Sequence, residues 1–130
     1  MPNVKPLRYV YTTGDTTGFS ELQANETIAF NDVDQQRIAT PAYSASMSVD
    51  VAGYSVVRIT LTGNLQLGFT GGVDGQKFIV ELIQDGNGNR TLSYDSSVRF
   101  GTDITSTTLT ATPSKMDRVG FIYNASASKY

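Results

Sequence analysis

Apolar and polar residues alternate along most of the chain after residue 42, with the period of two that a half-buried β-strand requires. In residues 43–51 the tyrosine, alanine, methionine and valines fall on one face, and the serines and the aspartate fall on the other. Residues 55–61 and 65–69 repeat this alternation on either side of Gly63-Asn64. Glycine and asparagine tolerate the positive φ of a tight reversal, so we expect these two runs to form a β-hairpin.

The next strand carries apolar side chains on both faces. Residues 76–84 place Phe78 on one face and Ile79 on the other, which predicts a central strand of a sheet. Residues 85–89, rich in glycine and asparagine, then provide a hairpin loop. Strands of this length and spacing predict an all-β fold, an antiparallel β-sandwich or jelly-roll-like domain. Further short runs follow at 91–94, 98–100, 107–112 and 118–123.

The first forty residues have a different pattern, because short apolar clusters are separated by polar stretches such as residues 12–18. Pro2 and Pro6 favour extended backbone and disfavour a helix around them. We therefore expect an extended N-terminal arm with short strands over residues 1–40. The β-sandwich domain is expected to occupy residues 41–130.

The composition excludes several classes of function. The chain has no Cys, His or Trp, which excludes disulfides, the usual zinc sites and His-dependent nucleophilic catalysis. Its 10 basic and 12 acidic residues are scattered, so no electrostatic footprint for nucleic acid is visible. No run approaches the about 20 apolar residues that cross a bilayer, and residues 1–6 lack the apolar centre of a signal peptide. We expect a soluble protein made in a cytoplasm, without a nucleic-acid or membrane partner and without a cofactor.

A calcium loop is the most tempting chemical interpretation of residues 85–89. Asp85, Asn87 and Asn89 occupy alternate positions, as at the start of such a loop. Arg90 stands where the loop requires glycine, and Ser96 stands where it requires a bidentate glutamate. No metal site is therefore predicted, and Asp85 is expected to cap its own turn.

Carboxylates are the remaining candidates for catalysis. A pair for glycoside hydrolysis would have to come from Glu81, Asp85, Asp95 and Asp103, and no spacing rule singles out two of them. The sequence thus predicts no catalytic residue and no enzyme.

The seven tyrosines divide by position. Tyr43 and Tyr123 fall on apolar phases and are expected in the core. Tyr9, Tyr11 and Tyr130 lie near the ends of the chain and are better placed for an interface, where a tyrosine provides contact area together with a hydroxyl group.

Two segments of the chain are similar to segments of known proteins. Residues 5–11 (KPLRYVY), followed by the Thr/Gly/Asp turn and Glu21-Leu22, resemble the opening of small virion structural proteins of tailed bacteriophages. The order of residues 60–64, 84–94, 98–100 and 117–123 is similar to a β-sandwich module of tail fibres, appendages and head decoration proteins. Such modules often have tryptophans where this chain has Tyr94, Phe100 and Tyr130.

The resemblance implies a virion structural protein, assembled in the host cytoplasm and placed on the capsid exterior as a cement or decoration protein. Its partner would be the major capsid protein, and a homo-oligomer, with a trimer favoured, would be expected. The alternative is a tail-fibre or appendage subunit that binds a host receptor or glycan. The expected partner-binding residues are the apolar residues of the arm, some acting by strand addition to a neighbour. They are Leu7, Tyr9, Tyr11, Leu22, Ile28 and Phe30.

Overall fold

The structure, a computed structural model, describes residues 7–9, 19–21 and 37–130. The chain divides into two units, Met1–Asp34 and Gln35–Tyr130. In the first unit the backbones of Leu7–Tyr9 (β1) and Phe19–Glu21 (β2) pair antiparallel. The second unit contains the elements that form the candidate site.

Seven strands make up the described part of the second unit, and no helix occurs in residues 37–130. Their lengths range from two residues to eight. The first of them, Ile38–Ala39, lies inside residues 1–40, the segment predicted to be the arm. The strands are Ile38–Ala39 (β3), Ser46–Asp50 (β4), Val56–Leu61 (β5), Leu65–Thr70 (β6), Lys77–Gln84 (β7), Leu92–Tyr94 (β8) and Met116–Ile122 (β9).

The strands form two sheets, and successive strands alternate between them. One sheet has four strands in the order β3-β5-β7-β9, and the other has three in the order β4-β6-β8. Every neighbouring pair in these sheets is parallel except β7 and β9, which are antiparallel. The crossover between two parallel neighbours is therefore a strand of the opposite sheet.

The prediction of an antiparallel β-sandwich or jelly roll is wrong, because the strands are mostly parallel. The predicted hairpin around Gly63-Asn64 is also wrong, since β5 and β6 lie in different sheets. Residues 85–89 likewise connect two sheets and not two paired strands. The alternation of apolar and polar residues determines which side chains face the core. It is the same in a β-hairpin and in a chain that crosses to the facing sheet, so it does not distinguish the two.

Two hydrogen bonds fix the connection between β5 and β6 at Asn64. The Tyr43 hydroxyl donates to the Asn64 carbonyl oxygen at 2.7 Å, and the Thr91 N–H donates to Asn64 Oδ1 at 3.1 Å. Asn64 thus joins the segment before β4 to the segment before β8. The hydrogen bonds of Asn64 to both segments therefore help to set the register of β4, β6 and β8, in the absence of a hairpin contact.

The core lies between the two sheets and receives side chains from both. Tyr43 and Tyr130 pack against it, which agrees with the prediction for Tyr43 and places Tyr130 in the fold, not at a free surface. β7 lies between β5 and β9, which confirms the predicted central strand. Residues 98–100 and 107–112, expected to be strands, form none. The buried core residues are Val49, Val51, Val57, Ile59, Leu61, Leu65, Leu67, Phe69, Phe78, Val80, Leu82 and Leu92.

Candidate interaction surface

The four-stranded sheet has one face against the core and one face directed away from it, which we name the outer face. Strand register places its residues in rows across β5, β7 and β9. One row contains Val56, Ile79 and Gly120, and the next contains the charged residues. The outer face consists of Ile38, Val56, Arg58, Thr60, Lys77, Ile79, Glu81, Ile83, Met116, Arg118, Gly120 and Ile122.

Large aliphatic side chains are exposed on this face. Ile79 is 44% exposed although it lies on the central strand, and Ile122 is 55% exposed. Beside them the surface forms a shallow depression of about 530 Å³ that includes Lys77, Ile79, Gly120 and Ile122. A Cβ atom at Gly120 would meet no atom within 4 Å, so the missing side chain keeps this depression open. Contiguous exposed aliphatic residues on an ordered sheet mark a surface suited to a protein partner.

A row of three charged residues crosses the middle of the outer face. Arg58 Nε donates to Glu81 Oε2 at 2.6 Å, and Arg118 Nε donates to Glu81 Oε1 at 3.0 Å. The Glu81 side chain is 9% exposed, whereas those of Arg58 and Arg118 are 42% and 64% exposed. The hydrogen bond from Arg58 lowers the pKa of Glu81 most, the bond from Arg118 lowers it further, and burial acts in the opposite direction.

Replacing Glu81 with glutamine tests this charged row. At pH 7 we expect Glu81→Gln to lower the free energy of unfolding by about 1 kcal/mol, because glutamine has one acceptor oxygen for two partly exposed arginines and no negative charge to pair with them. The folded-state pKa of Glu81 lies below its ordinary value of 4.5, so the carboxylate stabilises the fold above pH 4.5 and loses this effect as the pH falls further. Urea titrations of both proteins from pH 7 to pH 3 measure the difference. A difference that stays constant to pH 3 contradicts the assignment.

The predicted partner-binding residues of the arm are only in part described. Leu7 and Tyr9 lie in β1, where the backbone alone is described. Tyr11, Leu22, Ile28 and Phe30 lie outside the described residues. Their role stays a prediction. The outer face was missed because the apolar residues on both faces of β7 were interpreted only as the sign of a central strand.

Two of the four acidic residues considered for catalysis are held in ion pairs. Glu81 is held by two arginines, and Asp85 is held by Arg90, whose Nη2 lies 2.7 Å from Asp85 Oδ2. The hydrogen bond from Arg90 lowers the pKa of Asp85 most, and the N–H groups of Asn87 and Gly88 lower it further. A general acid near neutral pH requires a raised pKa, so these lowered pKa values argue against that role for Glu81 and Asp85.

The other two acids lie in connecting segments. Asp95 accepts hydrogen bonds from the backbone and hydroxyl of Ser97, and Asp103 is exposed after β8. In the part of the chain that the structure describes, no three His, Cys, Asp or Glu side chains are grouped to hold a metal ion. Nor does that part contain a helix of the length and apolarity needed to cross a membrane.

No protein-family model, curated protein or solved structure matches this chain. The resemblance to bacteriophage structural proteins therefore stays a prediction.

Proposed function

We propose that the protein is a structural subunit of a tailed-phage virion, a capsid cement or decoration protein, and that it binds the major capsid protein through the outer face. The observation that carries the binding role is the exposed aliphatic surface around Ile79 and Ile122. The resemblance of residues 84–94 and 117–123 supports the virion setting. The role requires association and no catalysis.

Burial of the outer face provides the driving force in this proposal. Covering the exposed half of one isoleucine contributes roughly 1 kcal/mol. Ile38, Ile79, Met116 and Ile122 are each more than 40% exposed and lie on the same side of the sheet. A protein that binds only the assembled lattice stabilises it by mass action, and repetition over many sites multiplies the effect.

The arm provides a second contact in this proposal. Leu7, Tyr9 and the other apolar residues predicted to bind the partner would anchor a separate segment of the same chain. Two linked contacts bind more tightly than either one, because the second forms at a high effective concentration. A truncated protein that lacks residues 1–34 is therefore expected to bind the capsid more weakly and to keep its specificity.

Replacing Ile79 with aspartate tests whether the outer face binds the capsid. We expect Ile79→Asp to weaken binding to capsids assembled without the protein by about thirtyfold, as for a buried anchor residue near the centre of an interface. Ile104→Asp is the matched control, because Ile104 is 68% exposed in the segment between β8 and β9 and is not part of the outer face. Co-sedimentation with capsids over a range of concentrations measures both affinities.

Capsid affinity is expected to fall in Ile79→Asp and to stay unchanged in Ile104→Asp. Circular dichroism and thermal unfolding check that both remain folded, as expected for exposed positions. Equal affinities for Ile79→Asp and the original protein would remove the outer face from the interface. An equal loss in Ile104→Asp would show a general effect of added negative charge.

Location on the particle separates the capsid assignment from the tail-fibre alternative. Gold labelling of a tagged protein on intact virions is expected to mark the head. Labels confined to the tail would overturn the cement role and favour a fibre or appendage subunit.

A further inference from the structure

Strand β9 forms an edge of the four-stranded sheet, and the phase of its hydrogen bonds can be determined. The Gln84 N–H donates to the Lys115 carbonyl oxygen at 2.8 Å, and the Tyr123 N–H donates to the Gln76 carbonyl oxygen at 3.0 Å. In an antiparallel pair only alternate residues bond to the neighbouring strand. The odd-numbered residues of β9 therefore face β7.

The even-numbered residues direct their backbone groups away from β7. The Ile79 N–H, opposite Gly120 in the register, agrees with this phase because it donates to the Ser55 carbonyl oxygen on the other side of β7. Outside the strand ladders, no backbone hydrogen bond within residues 37–130 is made by the even-numbered residues of β9, and β7 is the one described strand that pairs with β9. These residues, Met116, Arg118, Gly120 and Ile122, are also exposed members of the outer face.

Natural edge strands are commonly protected by charged side chains, proline, bulges, short length or a cover. β9 has seven residues and no proline, and its two charged residues, Asp117 and Arg118, are bonded to Thr110 and Glu81 of the same chain. Its outward donors and acceptors have no partner among residues 37–130, and they run beside the exposed aliphatic side chains of Met116 and Ile122. An edge of this kind accepts an added strand, whose backbone gives affinity and whose alternate side chains give specificity.

The charges of the outer face determine the kind of strand that fits. Arg58, Lys77 and Arg118 stand against the single carboxylate of Glu81, so positive charge is in excess. Arg58 and Arg118 bind Glu81 through Nε, and the exposed Arg118 side chain presents its remaining guanidinium donors to the outside. A carboxylate on the added strand would complement this excess, whereas a second copy of β9 would bring another Arg118 close to the first.

We propose that β9 binds an extended segment of the protein partner by strand addition, and that this segment carries a carboxylate between aliphatic side chains at alternate positions. The carboxylate binds the guanidinium group of Arg118. The aliphatic side chains lie beside Met116 and over the depression at Gly120. This inference rests on the proposed function, because it names the part of the partner that the outer face recognises.

A synthetic peptide tests the inference directly. The probe is acetyl-Thr-Val-Thr-Glu-Thr-Val-Thr-amide, whose symmetry allows it to pair in either direction. We expect saturable binding in NMR titrations, together with slower hydrogen exchange at the amides of Met116, Arg118, Gly120 and Ile122. The peptide with glutamine in place of glutamate is expected to bind about tenfold more weakly, since it has no negative charge to pair with Arg118.

Protein variants locate the binding. Arg118→Gln is expected to lower the affinity for the probe about tenfold and to remove the preference for glutamate over glutamine. Arg99→Gln is the matched control for the lost charge, because Arg99 is exposed outside the sheet. Gly120→Pro removes one outward N–H without removing a bond to β7, so it should prevent pairing in a protein that still folds.

The outcomes separate this inference from the proposed function. If Ile79→Asp weakens capsid binding as expected while Arg118→Gln and Gly120→Pro bind capsids and probe normally, the outer face is the interface and strand addition is wrong. Exchange protection that is absent from β9, or equal affinity for both peptides, also overturns the inference. Loss of both capsid and probe binding in Arg118→Gln, with Arg99→Gln unchanged, supports it.

Discussion

Phe69→Ala is expected to lower the free energy of unfolding by about 3–5 kcal/mol, which is typical of a buried phenylalanine replaced by alanine. Phe69 is 2% exposed and belongs to the three-stranded sheet. Its ring centroid lies 5.0 Å from that of Phe78 and 4.8 Å from that of Phe121, both on the facing sheet. Tyr130 packs on the same ring at 5.3 Å. One side chain therefore joins the two sheets and the C-terminal segment.

Equilibrium urea unfolding of the variant and the original protein measures this effect. Phe69→Leu is the conservative control and should cost about 1 kcal/mol, since it retains most of the buried volume. A loss below about 1 kcal/mol in Phe69→Ala would show that the sheets close around the cavity or that the ring contributes little.

Gly88→Ala is expected to cost about 2–4 kcal/mol, through strained backbone and steric overlap together. Gly88 has a φ of 66°, which residues other than glycine and asparagine seldom adopt. A Cβ atom there would overlap the Ala111 carbonyl oxygen and would lie 2.9 Å from Pro113 Cδ. The Gly88 N–H also donates to Asp85 Oδ1 at 3.0 Å, so the backbone cannot move away freely.

The same loop offers a matched control. A Cβ atom at Gly86 would meet nothing within 4 Å, and Gly86 is exposed. Gly86→Ala is therefore expected to change the free energy of unfolding by less than about 0.5 kcal/mol. Urea unfolding of both variants provides the comparison, and equal stabilities would show that the loop adapts to a side chain at either glycine.

The sequence predicted which side chains lie inside but not which strands are neighbours. Val57 and Ile59 are buried on the alternation that the pattern indicated, and Phe78, Val80 and Leu82 follow the same rule on β7. Strand direction depends on where the chain goes after each corner. Gly63-Asn64 permits a tight turn in either case, and the hydrogen bonds that Asn64 makes with Tyr43 and Thr91 come from residues far along the chain.

The candidate site was only partly accessible to sequence reasoning. Ile79 and Ile83 gave a local signal, because apolar residues occupied the face of β7 that proved to be the outer one. The charged row gave none, since Arg58, Glu81 and Arg118 lie on three strands and meet only through the register of a mixed sheet. The spacing of these three residues along the chain therefore does not predict that they are neighbours in the sheet. The predictions for the arm, in contrast, concern residues whose side chains the structure does not describe.

The alternation of strands between two sheets also affects how the second unit folds. Every neighbour of β5, β6 and β7 within a sheet is reached only after the chain has passed through the facing sheet. No two consecutive strands from β3 to β9 pair with each other, so no local hairpin is available to nucleate folding. Loops must close before any sheet bond can form, and such non-local topologies fold slowly. During that interval the unpaired edges and the apolar faces of nascent strands are open to other chains, so the rate of synthesis and the concentration of nascent chains affect the yield of native protein.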